Sequence, residues 1–236
     1  HEHGFDPLQL RRINFIPPEA FPNKTANGTL YDRCEFNRVL DKALQLSDYA
    51  GFAKRKAESK SRGKLRGIGL AYYLEASGAG NAPKDQVQGH FDAQGLLHVL
   101  GVTGASGQGH ETSFSHIIER ELGFPAQQVR YLNGTPDSKK LVGNGTGGSR
   151  TLYGAGSAIL NLAQQIKAKV NELRAQLKLP TEHSHDWSWL TQLTPQQRDT
   201  LSAMGEASSG ATFPNGCHVA EIEIDPQTGR TQVLQY

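Results

Sequence analysis

The sequence of 236 residues contains little cysteine and no long apolar run, and each shortage excludes a class of protein. Its two cysteines, Cys34 and Cys217, have neither a metal-binding nor a redox spacing, and the sequence gives no ground for a disulfide between them. Because so few cysteines are typical of a reducing compartment, we expect a cytoplasmic protein. No apolar segment approaches the roughly 20 residues that a membrane-spanning helix needs, and no signal-peptide pattern opens the chain.

The charges nearly balance: 25 basic and 23 acidic residues give a formal net charge of +2, which indicates neither a strongly acidic partner nor a nucleic acid. One segment, residues 54–66, is nonetheless strongly basic and contains Glu58 as its one acid. A nucleic-acid surface is one interpretation of this segment. We favour a solvated helix end, where cations complement the negative end of the helix dipole, because no aromatic residues interleave for base stacking.

Glycine is abundant, with 26 residues, and it concentrates in two stretches, residues 104–112 and 143–150. Each stretch runs directly into a segment with helical apolar spacing. Glycine lets the backbone approach a ligand closely, and a helix that begins there presents unpaired N–H groups and the positive end of its dipole. Helix starts of this kind bind phosphate groups, and the Gln108 amide can form hydrogen bonds with the edge of a heterocycle. Two such loops could hold one long, phosphate-bearing ligand from both sides.

Gly143, Gly145 and Gly148 also match the G-x-G-x-x-G spacing of dinucleotide-binding folds. In those folds a buried apolar strand precedes the glycines, whereas residues 137–140 here read Asp-Ser-Lys-Lys. The first plausible acid downstream, Glu172, lies inside a predicted helix. We therefore reject a Rossmann fold for this chain.

Five short motifs, in one order and over nearly the whole chain, resemble those of a single known family. Residues 107–112 (Gly-Gln-Gly-His-Glu-Thr) resemble its pterin-contacting motif, and residues 147–150 (Gly-Gly-Ser-Arg) resemble its second cofactor loop. The segments 6–12, 62–69 and 213–221 are similar as well. The family is the molybdopterin-binding large subunit of the xanthine dehydrogenase and aerobic carbon-monoxide dehydrogenase type, the molybdenum hydroxylases. By this resemblance the cofactor-binding residues are Gly107, Gln108, Gly109, His110, Gly147, Gly148, Ser149 and Arg150.

The resemblance implies both a cofactor and a reaction. The cofactor is molybdopterin with molybdenum, in a dinucleotide form, and the reaction oxidises or hydroxylates a small molecule with water as the oxygen source. Electrons would pass to two partners, an iron–sulfur subunit and an FAD subunit. In such enzymes the cofactor supplies the redox chemistry and the protein supplies placement and electrostatics. The pterin dithiolene holds the metal, so the resemblance implies no metal-ligating side chain in this chain.

The resemblance also implies that parts are missing. Family large subunits are several times longer, and they carry an upstream domain with a loop close to the molybdenum and a glutamate base near the C-terminus. Neither has a counterpart here, and residues 233–236 lie inside an apparent strand. We therefore expect an internal fragment with no catalytic residue and no activity of its own. If the isolated chain did turn over, Glu75 and Glu111 would be the first candidates for the acid.

Two alternatives stay open at this point. The chain could be a non-enzymatic α+β module whose glycine loops take up a nucleotide or an anion, and cofactor analysis would separate the two functions. His183, His185 and Asp186 could begin a metal site, but no further ligand is evident nearby, so we favour an exposed polar loop there.

Hydrophobic periodicity and turn signals predict an α+β fold of mixed sheets, hairpins and flanking helices. We expect helices at residues 7–14, from 35 towards 58, at 113–122, at 151–177 and from 195. We expect strands at residues 65–76, 86–92, 96–100, 129–132 and 218–224, with a hairpin partner from 230. Three regions are predicted: a helical and extended segment (1–61), a cofactor-binding lobe (62–205) and the start of a β-rich lobe (206–236).

Overall fold

The computed structural model of the chain describes residues 3–78, 80–179 and 186–236. The helices are α1 (Pro7–Asn14), α2 (Phe36–Leu46), α3 (Phe52–Ser61), α4 (His110–Leu122), α5 (Thr151–Gln176) and α6 (Pro195–Thr200). The strands are β1 (Asn23–Lys24), β2 (Leu30–Tyr31), β3 (Leu65–Leu74), β4 (Asp85–Phe91), β5 (Leu97–Gly101), β6 (Val129–Leu132), β7 (Ala203–Ala207), β8 (Asn215–Ile224) and β9 (Thr231–Gln235). This mixture of hairpins and helices is the predicted α+β class. None of the helices in these ranges combines the length and the apolarity needed to cross a bilayer.

The chain divides into two compact units. The first unit consists of both ends of the chain, up to Glu75 and again from Thr212, and the second unit is the segment between them, Ala76–Ala211. These bounds differ from the predicted regions 1–61, 62–205 and 206–236. The difference arises because β3 and β8 pair along their whole lengths. The C-terminal hairpin therefore joins the N-terminal region instead of starting a lobe of its own.

The first unit is built on a three-stranded antiparallel sheet in the order β3-β8-β9, with α2 packed against β8 and α3 against β3. α1 begins at the predicted cap, because the Asp6 carboxylate accepts hydrogen bonds from the amides of Leu8 and Gln9 at 2.9 and 2.7 Å. The single helix expected from residue 35 towards 58 was wrong. Asp48 adopts a left-handed conformation with φ of 44°, which separates α2 from α3.

Four of the seven cations in the basic segment 54–66 are paired within the first unit, so the expectation of a solvated helix end holds only for the exposed Lys54, Lys56 and Lys60. Arg55 and Arg66 both bind the carboxylate of Glu221 on β8, whose side chain is 1% exposed. Two further cations of the segment pair with the next acids along the chain: Arg62 with Glu223 and Lys64 with Asp225, both at 2.6 Å. The carboxylates of β8 and of the turn after it therefore neutralise much of this segment.

The second unit is built on a four-stranded sheet in the order β6-β5-β4-β7. β4 and β5 form the predicted hairpin, α4 connects β5 to the parallel strand β6, and β7 adds antiparallel to β4. α5 packs across β4 and β7, and α4 packs against α5. The core that these elements enclose is apolar and includes the buried side chains of Leu97, Phe114, Ile159, Leu162 and Leu201.

β7 was not predicted from the sequence, and it lies very close to α5. A Cβ atom built on Gly205 of β7 would stand 2.1 Å from the carbonyl oxygen of Ala158 and 2.5 Å from the backbone nitrogen of Leu162. Both atoms belong to the backbone of α5, so any side chain at this position would clash with the helix. Glycine at 205 is therefore what permits the strand to pack on the helix.

Two histidines face each other across the β4–β5 hairpin of the second unit. His90 pairs with His98 in the strand register, and their rings stack with centroids 5.3 Å apart. The Nε2 atom of His98 lies 2.8 Å from a carboxylate oxygen of Asp92. Burial and then the neighbouring His98 lower the pKa of His90, against smaller opposing effects of Asp92 and Asp199.

We expect the free energy of unfolding to decrease as the pH falls below about 6.5, the ordinary pKa of histidine. The folded-state pKa of His90 lies below that value, so the unfolded chain takes up the proton more readily and the fold loses stability towards acid pH. His90→Gln should flatten this dependence in urea titrations between pH 7 and 5. His116→Gln, at an exposed histidine of α4, is the control. The same pH slope in His90→Gln and the unmodified chain would contradict the assignment.

Candidate functional site

Two glycine loops of the second unit each lead into a helix. The first loop, residues 104–109, connects β5 to α4, and the second loop, residues 143–150, precedes α5. The residues that precede the two helices, Gly109 and Arg150, form no side-chain cap. The amides of the first turns therefore keep the donor capacity and the positive dipole end that every helix start has. Because α4 and α5 pack against each other, both loops belong to one region of the second unit.

The backbone of the first loop is open to a ligand. Gly107 and Gly109 have φ values of 93° and 70°, in the left-handed region that favours glycine. A Cβ atom built on either residue would meet nothing within 4 Å, and the same holds for Gly147 in the second loop. At these positions the missing side chains leave free space above the backbone, into which a ligand can enter.

Hydrogen bonds fasten the two loops to each other. The Thr146 hydroxyl donates to the carbonyl oxygen of Gly104 at 2.6 Å. Its Oγ1 atom also lies 2.7 Å from Nε2 of His110. Since the hydroxyl has one proton and gives it to Gly104, the imidazole must be the donor in the second bond. Thr146 thereby links the second loop to the start of the first loop and to the first residue of α4.

The structure gathers the eight residues predicted for cofactor binding into this region, in two different settings. Six are exposed: Gly107, Gln108, Gly109, Gly147, Gly148 and Ser149. The other two, His110 and Arg150, are buried, with 6% and 5% of their surface exposed. Their side chains form hydrogen bonds with protein atoms inside the unit, so these two residues stabilise the conformation of the loops. Gln108 accepts a bond from the amide of Ser106, which leaves its NH₂ group to donate.

Arg150 binds Asp85, which no motif in the sequence marks as a site residue. Its Nη2 atom lies 2.6 Å from Oδ2 of Asp85, the first residue of β4, and Oδ1 of Asp85 accepts the amide of Asn144 at 3.0 Å. The alternating pattern of β4 could have pointed to Asp85. Residues 85, 87, 89 and 91 all lie on the buried face of this strand. An acid on the buried side of a strand requires a partner, and that requirement could have led to Arg150.

The described residues of this region form no metal site. Among the residues that the structure describes, no three His, Cys, Asp or Glu side chains converge as a metal site. The candidate His183 and His185 lie outside the described residues. The donors at the two loops are backbone amides and one side-chain amide, which suit phosphate oxygens and the polar edge of a heterocycle. A molybdenum-bearing pterin that brings its own metal ligands fits such donors.

The profile of the molybdopterin cofactor-binding domain family matches residues 42–236. The chain belongs to this family. The membership that the five motifs predicted is thereby confirmed, and both glycine loops lie within the matched part. The expected relation to carbon-monoxide dehydrogenase large chains is also found in the curated relatives.

The relatives and solved structures that resemble the chain are longer than it is. The chain is 32% identical to the carbon monoxide dehydrogenase large chain of Afipia carboxidovorans, over 98% of this chain and 33% of that protein. It is 29% identical to the protein of that name from Hydrogenophaga pseudoflava, over 99% of this chain and 33% of the relative. Quinoline 2-oxidoreductase from Pseudomonas putida 86 superposes with a TM-score of 0.71 and 26% identity, over 98% of this chain and 34% of that one. The chain thus spans about a third of the curated relatives' length.

Proposed function

We propose that the two glycine loops hold molybdopterin, in a dinucleotide form, within an oxidoreductase of the molybdenum hydroxylase type. The observation that carries the proposal is the pair of exposed loops, fastened to each other by Thr146, each leading into a helix without a side-chain cap. A dinucleotide form supplies two phosphates and a heterocycle at each end. Loops that offer two clustered sets of backbone donors suit such an elongated anion.

Each part of the site has a separate task in this proposal. The amides of residues 107–109 and 147–149 approach the ligand directly, because no side chain intervenes at the glycines. The NH₂ group of Gln108 donates to the edge of a heterocycle. His110 and Thr146 hold the first turn of α4 against the second loop. The bound cofactor supplies the redox chemistry, and the chain supplies its placement and its electrostatic surroundings.

For the whole enzyme we propose oxidation of a small molecule, with electrons passed on to an iron–sulfur subunit and an FAD subunit. The support is the similarity to relatives that are named for carbon monoxide and for quinoline. All of these share the present domain within chains about three times its length. The domain therefore supplies the cofactor site that these oxidations share.

The test of this proposal is the cofactor content of the purified complete gene product, with Gln108→Ala compared with the unmodified protein. Loss of one hydrogen bond of about 0.5–1.5 kcal/mol should weaken cofactor binding about 2- to 12-fold. Molybdenum and released pterin per chain are measured after dialysis. Gln94→Ala, at an exposed glutamine of the β4–β5 turn, serves as the matched control and should keep full occupancy.

Two results would contradict the proposal. One is equal molybdenum and pterin content in Gln108→Ala and in the unmodified protein. The other is a purified protein that carries a plain nucleotide and no pterin, which would point to the nucleotide-binding module instead.

A further inference from the structure

We infer that Asp85 is a positioning residue, which clamps both ends of the second loop and so holds residues 145–149 in the shape that receives the cofactor. Asp85 lies on β4, outside both glycine loops, and its carboxylate is buried. The inference rests on the proposed function, because it concerns the same ligand site.

The geometry of the clamp follows from the two oxygens of one carboxylate. Oδ1 accepts the amide of Asn144 at 3.0 Å, near the beginning of the second loop. Oδ2 accepts Nη2 of Arg150 at 2.6 Å, at the end of the loop. The side chains of Asp85 and Arg150 are 3% and 6% exposed. A single buried group therefore fixes both ends of the segment whose middle residues are exposed.

α5 leaves room for this carboxylate at one residue. A Cβ atom built on Gly154 would stand 2.4 Å from Oδ2 of Asp85 and 3.0 Å from Nη2 of Arg150. Any side chain at position 154 would push the two charged groups apart. Glycine in the interior of a helix costs stability relative to alanine, and here the space it leaves is filled by the ion pair.

The two ends of the second loop are not held equally well. Asn144 has further anchors, since its side-chain oxygen accepts the amide of Ala82 and its carbonyl oxygen accepts the hydroxyl of Thr103, both at 2.8 Å. The backbone of Arg150 begins α5, where its carbonyl oxygen accepts the amide of Gly154 at 2.7 Å. Its side chain makes, among the described residues and besides the bond to Asp85, one weaker bond, to the carbonyl oxygen of Gly145 at 3.3 Å. Its buried Nε atom has no partner among the described residues. The position of the Arg150 side chain therefore depends mainly on Asp85.

Removal of the negative charge should release the Arg150 side chain. A buried guanidinium without its counterion is strongly unfavourable, so this side chain would turn towards water and residues 145–149 would lose the support that it gives them. The exposed glycines would then lose the arrangement in which their amides face one ligand. The first loop, which is fastened through Thr146 and His110, should be affected less.

The test uses Asp85→Asn in the complete gene product, with two independent measurements. Amide hydrogen exchange in residues 145–150 of the cofactor-free protein should become at least tenfold faster, with a smaller change in residues 104–109. Cofactor binding should weaken at least tenfold. Val170→Ala, in the buried part of α5 far along the helix, gives a loss of stability without touching the clamp and should leave both quantities unchanged.

A milder variant keeps the test informative if Asp85→Asn does not fold. Arg150→Lys retains the buried cation but loses the planar fork of the guanidinium, and it should show the same two changes to a smaller extent.

Unchanged exchange in the variants that fold would overturn the inference. Faster exchange with full cofactor affinity would overturn the positioning role. If the unmodified protein carries no pterin at all, the proposed function fails, while faster exchange in Asp85→Asn would still establish the clamp.

Discussion

Gly205→Ala should destabilise the second unit by about 3 kcal/mol or more, at the upper end of what overpacking costs. The new methyl group would stand 2.1 Å from the carbonyl oxygen of Ala158 and 2.5 Å from the nitrogen of Leu162. Both atoms are backbone atoms of α5, which cannot rotate away as a side chain would. β7 must therefore separate from the helix. Urea unfolding followed by tryptophan fluorescence measures the effect, because both tryptophans, Trp187 and Trp189, lie in the second unit.

Gly69→Ala provides the matched control for this prediction. Gly69 also lies in a strand, but a Cβ atom there meets nothing within 4 Å and the backbone is not in the left-handed region. We expect a change within about 0.5 kcal/mol, as for most surface substitutions. Both variants are followed by circular dichroism as well, because Gly69 lies in the first unit and the tryptophans lie in the second. A Gly205→Ala variant as stable as the Gly69→Ala variant would show that β7 does not pack on α5 in this way.

Glu221→Ala should destabilise the first unit by about 3–5 kcal/mol, the cost of breaking a buried ion pair from one side. Its carboxylate is 1% exposed and binds both Arg55 and Arg66. The substitution leaves two guanidinium groups with no shared counterion. Hydrogen exchange in β8 reports the loss. Glu35→Ala, at a partly exposed acid paired with Arg38, is the control and should change the stability much less.

The stability that Glu221 provides should also depend on pH. The Arg55 guanidinium, and then Arg66, lowers the pKa of Glu221 below its ordinary value. The stabilisation is therefore fully present above about pH 4.3, the unfolded value, and is lost as the pH falls through the lower folded-state pKa. Glu221→Ala should remove this part of the acid sensitivity. An identical acid transition in the variant and the unmodified protein would refute the role of Glu221.

Local signals in the sequence were sufficient for much of the fold. Asp6 followed by proline marks the start of α1, and the turn at residues 92–95 marks the β4–β5 hairpin, because cap and turn chemistry act within a few residues. The two glycine loops were found for the same reason. Each is a short motif whose glycines and following helix stand side by side in the chain.

The features that were missed depend on partners far apart in the sequence. β7 is short and rich in small residues, and its strand character comes from pairing with β4 and packing on α5. Four cations of residues 54–66 pair with carboxylates that lie more than 150 residues later, between 221 and 225. Asp85 and Arg150 are likewise separated by 65 positions. Such pairs leave only a weak trace in a single sequence, such as an acid on the buried side of a strand.

The interrupted chain path of the first unit has a consequence for synthesis on the ribosome. β3 emerges early, but β8, its partner in the sheet, is made only after the whole of Ala76–Ala211. During that interval β3 is a nascent strand with unsatisfied backbone groups, which other chains could pair with. Gly67 and Gly69 lie in the middle of β3, and glycine weakens a strand as a template for such pairing. The two glycines of β3 thus make pairing with other chains less favourable before β8 has been synthesised.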